Sequence, residues 1–265
     1  MYQEQFAGKT SVIDLFRVTR IIIISCLVFI FLLVVCDYVF NYLDVLEDLS
    51  FRRIWNVARE NSIPTWFSSM LAHLLAVTVF AIAAVQRKII PAWKTAAWVL
   101  IGLFFLWIGI DDFAEIHEKL GGVLVRMAQQ GENTAATEFL LQNPSFSWHT
   151  FIAPVFALCG LFILGFLWMT FWRQHLLHFL IMGFGCWAVA QGLDFLEGLD
   201  NIVDLYAWVQ DTLSVEDEYA ISHSFKAVEE TLEMLGTALL WAGFLYYLAH
   251  VSDGLEFRLE NGKKD

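Results

Sequence analysis

The sequence predicts an all-α, polytopic membrane protein: a bundle of six transmembrane helices forming one integral-membrane domain over residues 1–265. Three observations predict it. Apolar residues make up 58% of the chain and charged residues only 17%, a balance outside the usual range of water-soluble domains. Six apolar stretches each approach or exceed the ~20 helical residues that cross a bilayer. Trp66, Trp93, Trp148 and Trp172 fall near the ends of those stretches, as an interfacial aromatic belt requires.

The spans are expected near 18–40, 63–86, 93–115, 149–172, 175–197 and 224–249. No small-residue cleavage site follows the first, which reads as a retained anchor and not a removed signal peptide. The second opens with ENSIPTWFSSM. Asn61 or Ser62 can cap it, Pro64 sits in the tolerant first turn, and Glu60 stands at the outer boundary. Between the fifth and sixth spans, Ile202, Leu205, Tyr206, Val209 and Leu213 recur at helical spacing and predict a helix lying on the outer surface. The stretch TAATEFLLQN predicts a second, shorter one.

Charge bounds the partners. Sixteen Lys and Arg face 28 Asp and Glu, a formal net charge of −12, so nucleic acid is excluded as a partner. The bilayer is the expected surrounding, with a homodimer or a membrane partner protein as the expected protein contacts. Ten of the 16 basic residues fall on the side of the termini, which predicts an inner or plasma membrane protein with both termini cytoplasmic. Cys26, Cys36, Cys159 and Cys186 lie in apolar runs without CxxC spacing and read as packing residues.

Two hairpins share an ordered pattern. The third span ends Asp112-Phe-Ala-Glu115 and the fifth ends Asp194-Phe-Leu-Glu197, both D-F-x-E. The returning helices open with His149-Thr-Phe and His223-Ser-Phe. A parallel repeat of helix hairpins would place like groups at like depths. Residues three apart share a helix face, so Asp112, Glu115, His149, Asp194, Glu197 and His223 form the expected metal-ligand set. In donor type this resembles the di-metal carboxylate four-helix bundles, although their Glu-x-x-His spacing is absent. Zinc, manganese or iron suits such donors.

Deeper groups form a second set. Glu230 and Glu233 are the expected catalytic carboxylates. Counted at ~1.5 Å per residue from 224, Glu233 lies near the bilayer middle, where His73 is its expected neighbour. Ser69-Met-Leu-Ala-His73 resembles the Ser-x-x-x-His spacing of the alkaline ceramidase and adiponectin-receptor membrane zinc hydrolases. Their nearby aspartate, final His-x-x-x-His and seventh span are missing, so the chain is not placed among them. Asp111, Glu118 and Lys119 read as a solvated helix end, and His117 as a surface residue pointing away from the acidic stripe.

Three functions compete. The first is a membrane metalloprotein with an extracytoplasmic carboxylate and histidine site, hydrolysing a lipid or surface substrate through a metal-activated water or oxidising at two metals. The second is a proton- or cation-coupled carrier using Glu230, Glu233 and His73, with Gly183 and Gly185 the nearest candidates for a helix break. The third is a non-catalytic sensor or accessory membrane subunit.

Overall fold

The computed structural model describes residues 11–43, 45, 48–131, 134, 137, 138, 141, 153–197, 202–213, 218–252 and 255–257. The chain is an all-α polytopic bundle. Six helices among these residues are long and apolar enough to cross a membrane.

Helix α1 (Leu15–Asn41) starts at Asp14, whose carboxylate accepts from the backbone N–H groups of Phe16 and Arg17. The short α2 (Leu49–Trp55) is capped in the same way by Asp48. Helix α3 (Ile63–Gln86) is capped by the Ser62 hydroxyl with Pro64 in its first turn, as the sequence predicts. Helix α4 (Ala92–Ala114) runs into α5 (Ile116–Gln130) through one residue, Glu115, held at φ 51° and ψ 41°. Helices α6 (Ala153–Phe171) and α7 (Leu177–Glu197) form the next hairpin, followed by α8 (Ile202–Leu213) and the 34-residue α9 (Glu218–Val251).

The expected spans match these helices closely. Helix α8 is the expected surface helix, and Tyr206 on it packs edge-on against Phe225 of α9. Most of TAATEFLLQN and the start of the fourth span lie outside the described residues. Helices α2 and α5 were not anticipated.

Lipid supplies no hydrophobic drive between helices, so close packing and small residues must hold them together. Helix α9 is the hub, in contact with α1, α3 and α7, while α4 packs along α3. The core takes Leu71, Leu75, Val79 and Ile82 from one face of α3, and Trp98, Ile101 and Phe105 from α4. From α9 it takes Met234, Ala238, Trp241 and Phe244. Their spacing of three and four residues is that of a single helix face.

Two glycines set the α7–α9 distance. A Cβ on Gly236 would stand 2.8 Å from the Gly183 carbonyl, and one on Gly183 would stand 3.1 Å from the Gly236 carbonyl. Gly183 is thus a packing residue in a continuous α7, not a break in it. Two polar contacts cross between helices: the Trp241 indole donates to Thr78 at 2.8 Å, and Gln86 donates to the Tyr247 hydroxyl at 3.1 Å.

Helix α9 is longer than a bilayer crossing needs. Thirty-four residues span about 51 Å, well beyond a hydrocarbon core of ~30 Å. The apolar run Met234–Val251 alone covers about 27 Å. Glu233 directly precedes that run. Asp111 and Asp112 follow the apolar run of α4, and Asp194 follows that of α7, so these acids share one end of the bundle. At the opposite end, Ser11–Ile13 (β1) and Leu255–Phe257 (β2) pair as a short antiparallel ladder. That pairing places both ends of the helical bundle on one side.

Candidate functional site

A cavity of about 620 Å³ opens among α3, α4, α6, α7 and α9 at the acidic end of the bundle. Its polar wall begins on α9. Lys226, Glu229, Glu230 and Glu233 lie three and four residues apart and so share one helix face. The Lys226 ammonium donates to Glu229 Oε1 at 2.6 Å and stands 3.6 Å from Glu230 Oε1. Gln191 of α7 donates to Glu233 Oε1 at 3.2 Å. Asp194 on α7 and Asp112 on α4 complete this wall, with Ser68 of α3 beside Asp112.

The mouth is built by the α4–α5 break. Asp111, only 7% exposed, accepts from the His117 backbone N–H at 2.9 Å through Oδ1 and pairs with His117 Nδ1 at 2.7 Å through Oδ2. One carboxylate thus caps α5 and fixes the orientation of its histidine. Glu115, Glu118 and Glu60 surround this pair at the cavity edge. The left-handed backbone at Glu115 carries no side-chain cap; its carboxylate stands 3.7 Å from Lys119.

Two groups here titrate away from their ordinary values. Burial disfavours a charged His117, but the hydrogen bond and charge of Asp111, with Glu118 and Asp194, outweigh it and hold its pKa up. Burial, reinforced by Glu118 and Glu115, raises the Glu60 carboxyl against the opposing Lys226 and His117.

Part of the lining is apolar. Phe104, Ile108, Phe156 and Phe184 form it, together with Trp187, whose indole donates to the Glu233 carbonyl and the Thr237 hydroxyl. Gly160 on α6 also faces the cavity, and a Cβ built there meets nothing within 4 Å.

Three residues of the cavity lining carry a buried carboxylate oxygen that accepts no hydrogen bond: Glu60 Oε2, Asp112 Oδ2 and Glu229 Oε2. They come from three parts of the chain. Among the described lining residues, Lys226 is the one lysine or arginine, against carboxylates on every polar element. Buried acceptors without donors are costly, and they mark where a donor or cation belongs.

The structure brings Asp112, Glu115, Asp194, Glu230 and Glu233 to this cavity. His223 goes elsewhere. It is buried against α1, with Nδ1 2.6 Å from the Tyr42 hydroxyl, and Nε2 3.2 Å from Asn56 Oδ1 and 3.5 Å from Asp37 Oδ1. Asp37 Oδ1 also accepts from Asn41 and from the Val57 backbone. Glu197 ends α7 beside Tyr206, with Oε1 buried and unbonded, outside the cavity lining. His149 lies outside the described residues. His73 Nδ1 turns back to the Ser69 carbonyl at 2.7 Å, and the Ser69 hydroxyl donates to the Gly109 carbonyl at 2.6 Å. Both serve the α3–α4 contact, and Gln191 takes the place expected of His73 beside Glu233. Among the described residues no group of three or more His, Cys, Asp or Glu side chains has the proximity to hold a metal ion.

Asp111 and His117, read from sequence as a solvated end and a surface residue, are instead the paired rim of the cavity. On an unbroken helix they would point apart. The break at Glu115 turns His117 back toward Asp111, and no glycine or proline announces that break.

Six spanning helices, five of which line an acidic cavity, define a multi-pass membrane protein. The chain belongs to the family described as Domain of unknown function (DUF8692), whose model matches residues 21–248. No curated protein and no solved structure matches it.

Proposed function

We propose that this protein binds a cation in the carboxylate cavity and acts as a proton- or cation-coupled carrier. One observation carries the proposal: Glu60, Asp112 and Glu229, all in the lining of this cavity, each carry a buried oxygen without a donor. Carboxylates crowded in one enclosed space repel, and both protons and an incoming cation relieve that repulsion. The two compete for the same oxygens, which is the physical basis of exchange. The acids lie toward one end of the bundle, and the basic residues concentrated on the side of the termini orient that end away from the cytoplasm in an inner or plasma membrane.

A zinc, manganese or iron ion is the second reading, favoured by the same hard oxygen donors. Hydrolysis or oxidation at such an ion needs a compact ligand set beyond these three oxygens, so no catalytic step is assigned.

The test is flux. Liposomes carrying the purified protein and an internal pH dye should exchange protons against imposed gradients of inorganic and organic cations. Asp112→Asn and Glu233→Gln should abolish the exchange. A wild-type protein that moves no protons against any cation of the panel refutes the carrier reading.

A further inference from the structure

We infer that the cavity's ligand is an organic ammonium with an apolar, aromatic-sized body, an inference that rests on the cation reading above. Three features of the cavity point to this class. The first is size. A bare metal ion is held by oxygens at ~2.0–2.6 Å, whereas about 620 Å³ falls in the range of sites for small organic molecules.

The second is the mixed lining. Carboxylates of Glu60, α4 and α9 share the cavity lining with Phe104, Phe156, Phe184 and Trp187. An aromatic lining contributes nothing to a hydrated metal ion. It does favour an alkyl or aryl body, and it adds cation–π attraction for an ammonium. Gly160 leaves the apolar lining open where any larger residue would fill it.

The third is the kind of acceptor left unmet. Glu229 is 3% exposed, its Oε1 held by Lys226 and its Oε2 without a donor. Asp112 Oδ2 and Glu60 Oε2 are likewise unpaired. A primary ammonium carries three N–H donors, whereas a trimethylammonium carries none. The geometry therefore favours the primary amine over its quaternary counterpart.

The experiment is calorimetric binding to the full-length protein in nanodiscs, with protein-free discs subtracted. The probes are 2-phenylethylamine, its trimethylammonium analogue, 2-phenylethanol, spermidine, Mn²⁺ and Zn²⁺. The expected result is saturable binding of 2-phenylethylamine, about tenfold tighter than its quaternary analogue, with 2-phenylethanol silent. Glu229→Gln should weaken it about tenfold or more. Gly160→Leu, which enters open space, should weaken 2-phenylethylamine similarly. Monodispersity on size exclusion confirms that each variant is folded.

Binding of Mn²⁺ or Zn²⁺ without the amine overturns the inference and leaves the cation reading standing. Binding of spermidine alone overturns the apolar body, and equal binding of the alcohol overturns the ammonium. Silence from every probe removes this inference together with the cation reading.

Discussion

Asp111 is the residue whose removal should be felt most at the cavity mouth. Its carboxylate makes two bonds, 2.9 Å to the His117 backbone and 2.7 Å to the His117 ring. Hydrogen bonds to charged groups contribute about 1.5–3 kcal/mol each. Asp111→Ala removes both and leaves the first turn of α5 uncapped, for a loss of about 3–5 kcal/mol. Asp111→Asn keeps an acceptor for the backbone and loses the charge beside the ring. Because the His117 ring is 26% exposed, that loss belongs near the lower figure, about 1.5 kcal/mol. The pH dependence is a sharper check. The folded state holds the His117 pKa above its ordinary value. The stabilisation from the charged pair is therefore complete below ~6.5 and is lost as pH rises through the higher folded value. Equilibrium unfolding in mixed micelles, run from roughly pH 5 to pH 9 across that window, should show the gap between wild type and Asp111→Asn narrowing with pH. A gap that widens with pH, or an Ala variant no worse than the Asn variant, would refute the pairing as the organising contact.

Two other outcomes follow from the packing and from the rim. Gly236→Ala drives a Cβ against the Gly183 carbonyl and the Trp187 ring, and should cost about 1–3 kcal/mol; Gly192→Ala on the same α7, with open space, should be close to neutral in the same unfolding assay. Glu60→Gln should stabilise the protein at neutral and higher pH. The folded Glu60 carboxyl binds its proton more tightly than the unfolded one, so wild type loses stability as pH rises through the window above the ordinary glutamate value. The two proteins should converge in acid, and an advantage for the variant that grows in acid would disprove the reasoning.

The spans were legible because lipid imposes one requirement, a long apolar helix, and each hydrophobic run records it directly. The Ser62 cap and the α8 surface helix were legible for the same local reasons. The pairing of Asp112 with Asp194 was visible as a repeated D-F-x-E and survives as two acids in one cavity. The histidines of that pattern did not share its fate: His223 is turned toward Asp37 on α1, a partner about as far away in sequence as the bundle allows. The apolar run of α9 that begins at Met234 directly follows Glu233, well after the helix itself begins at Glu218. The rim escaped notice because Glu115 breaks the helix with an ordinary side chain, and a helical wheel carried through that point puts His117 on the wrong face. Glu60 reads from sequence only as an acid at the outer boundary of the second span, and Lys226 carries no local sign of its place among the glutamates.

The Asp37–His223 cluster has a consequence for the order in which the molecule is made. Helix α1 is synthesised before α9 and enters the bilayer with Asp37 met locally by Asn41. The Tyr42 hydroxyl must wait for His223, 181 residues later, for its 2.6 Å bond. Chains leave the ribosome at ~5–20 residues per second, so that wait lasts on the order of 10–40 seconds. Until then α1 is held by its near neighbours, through Arg52 to the Asn41 carbonyl and through the Val57 N–H to Asp37, and α9 adds the hold that reaches across the bundle.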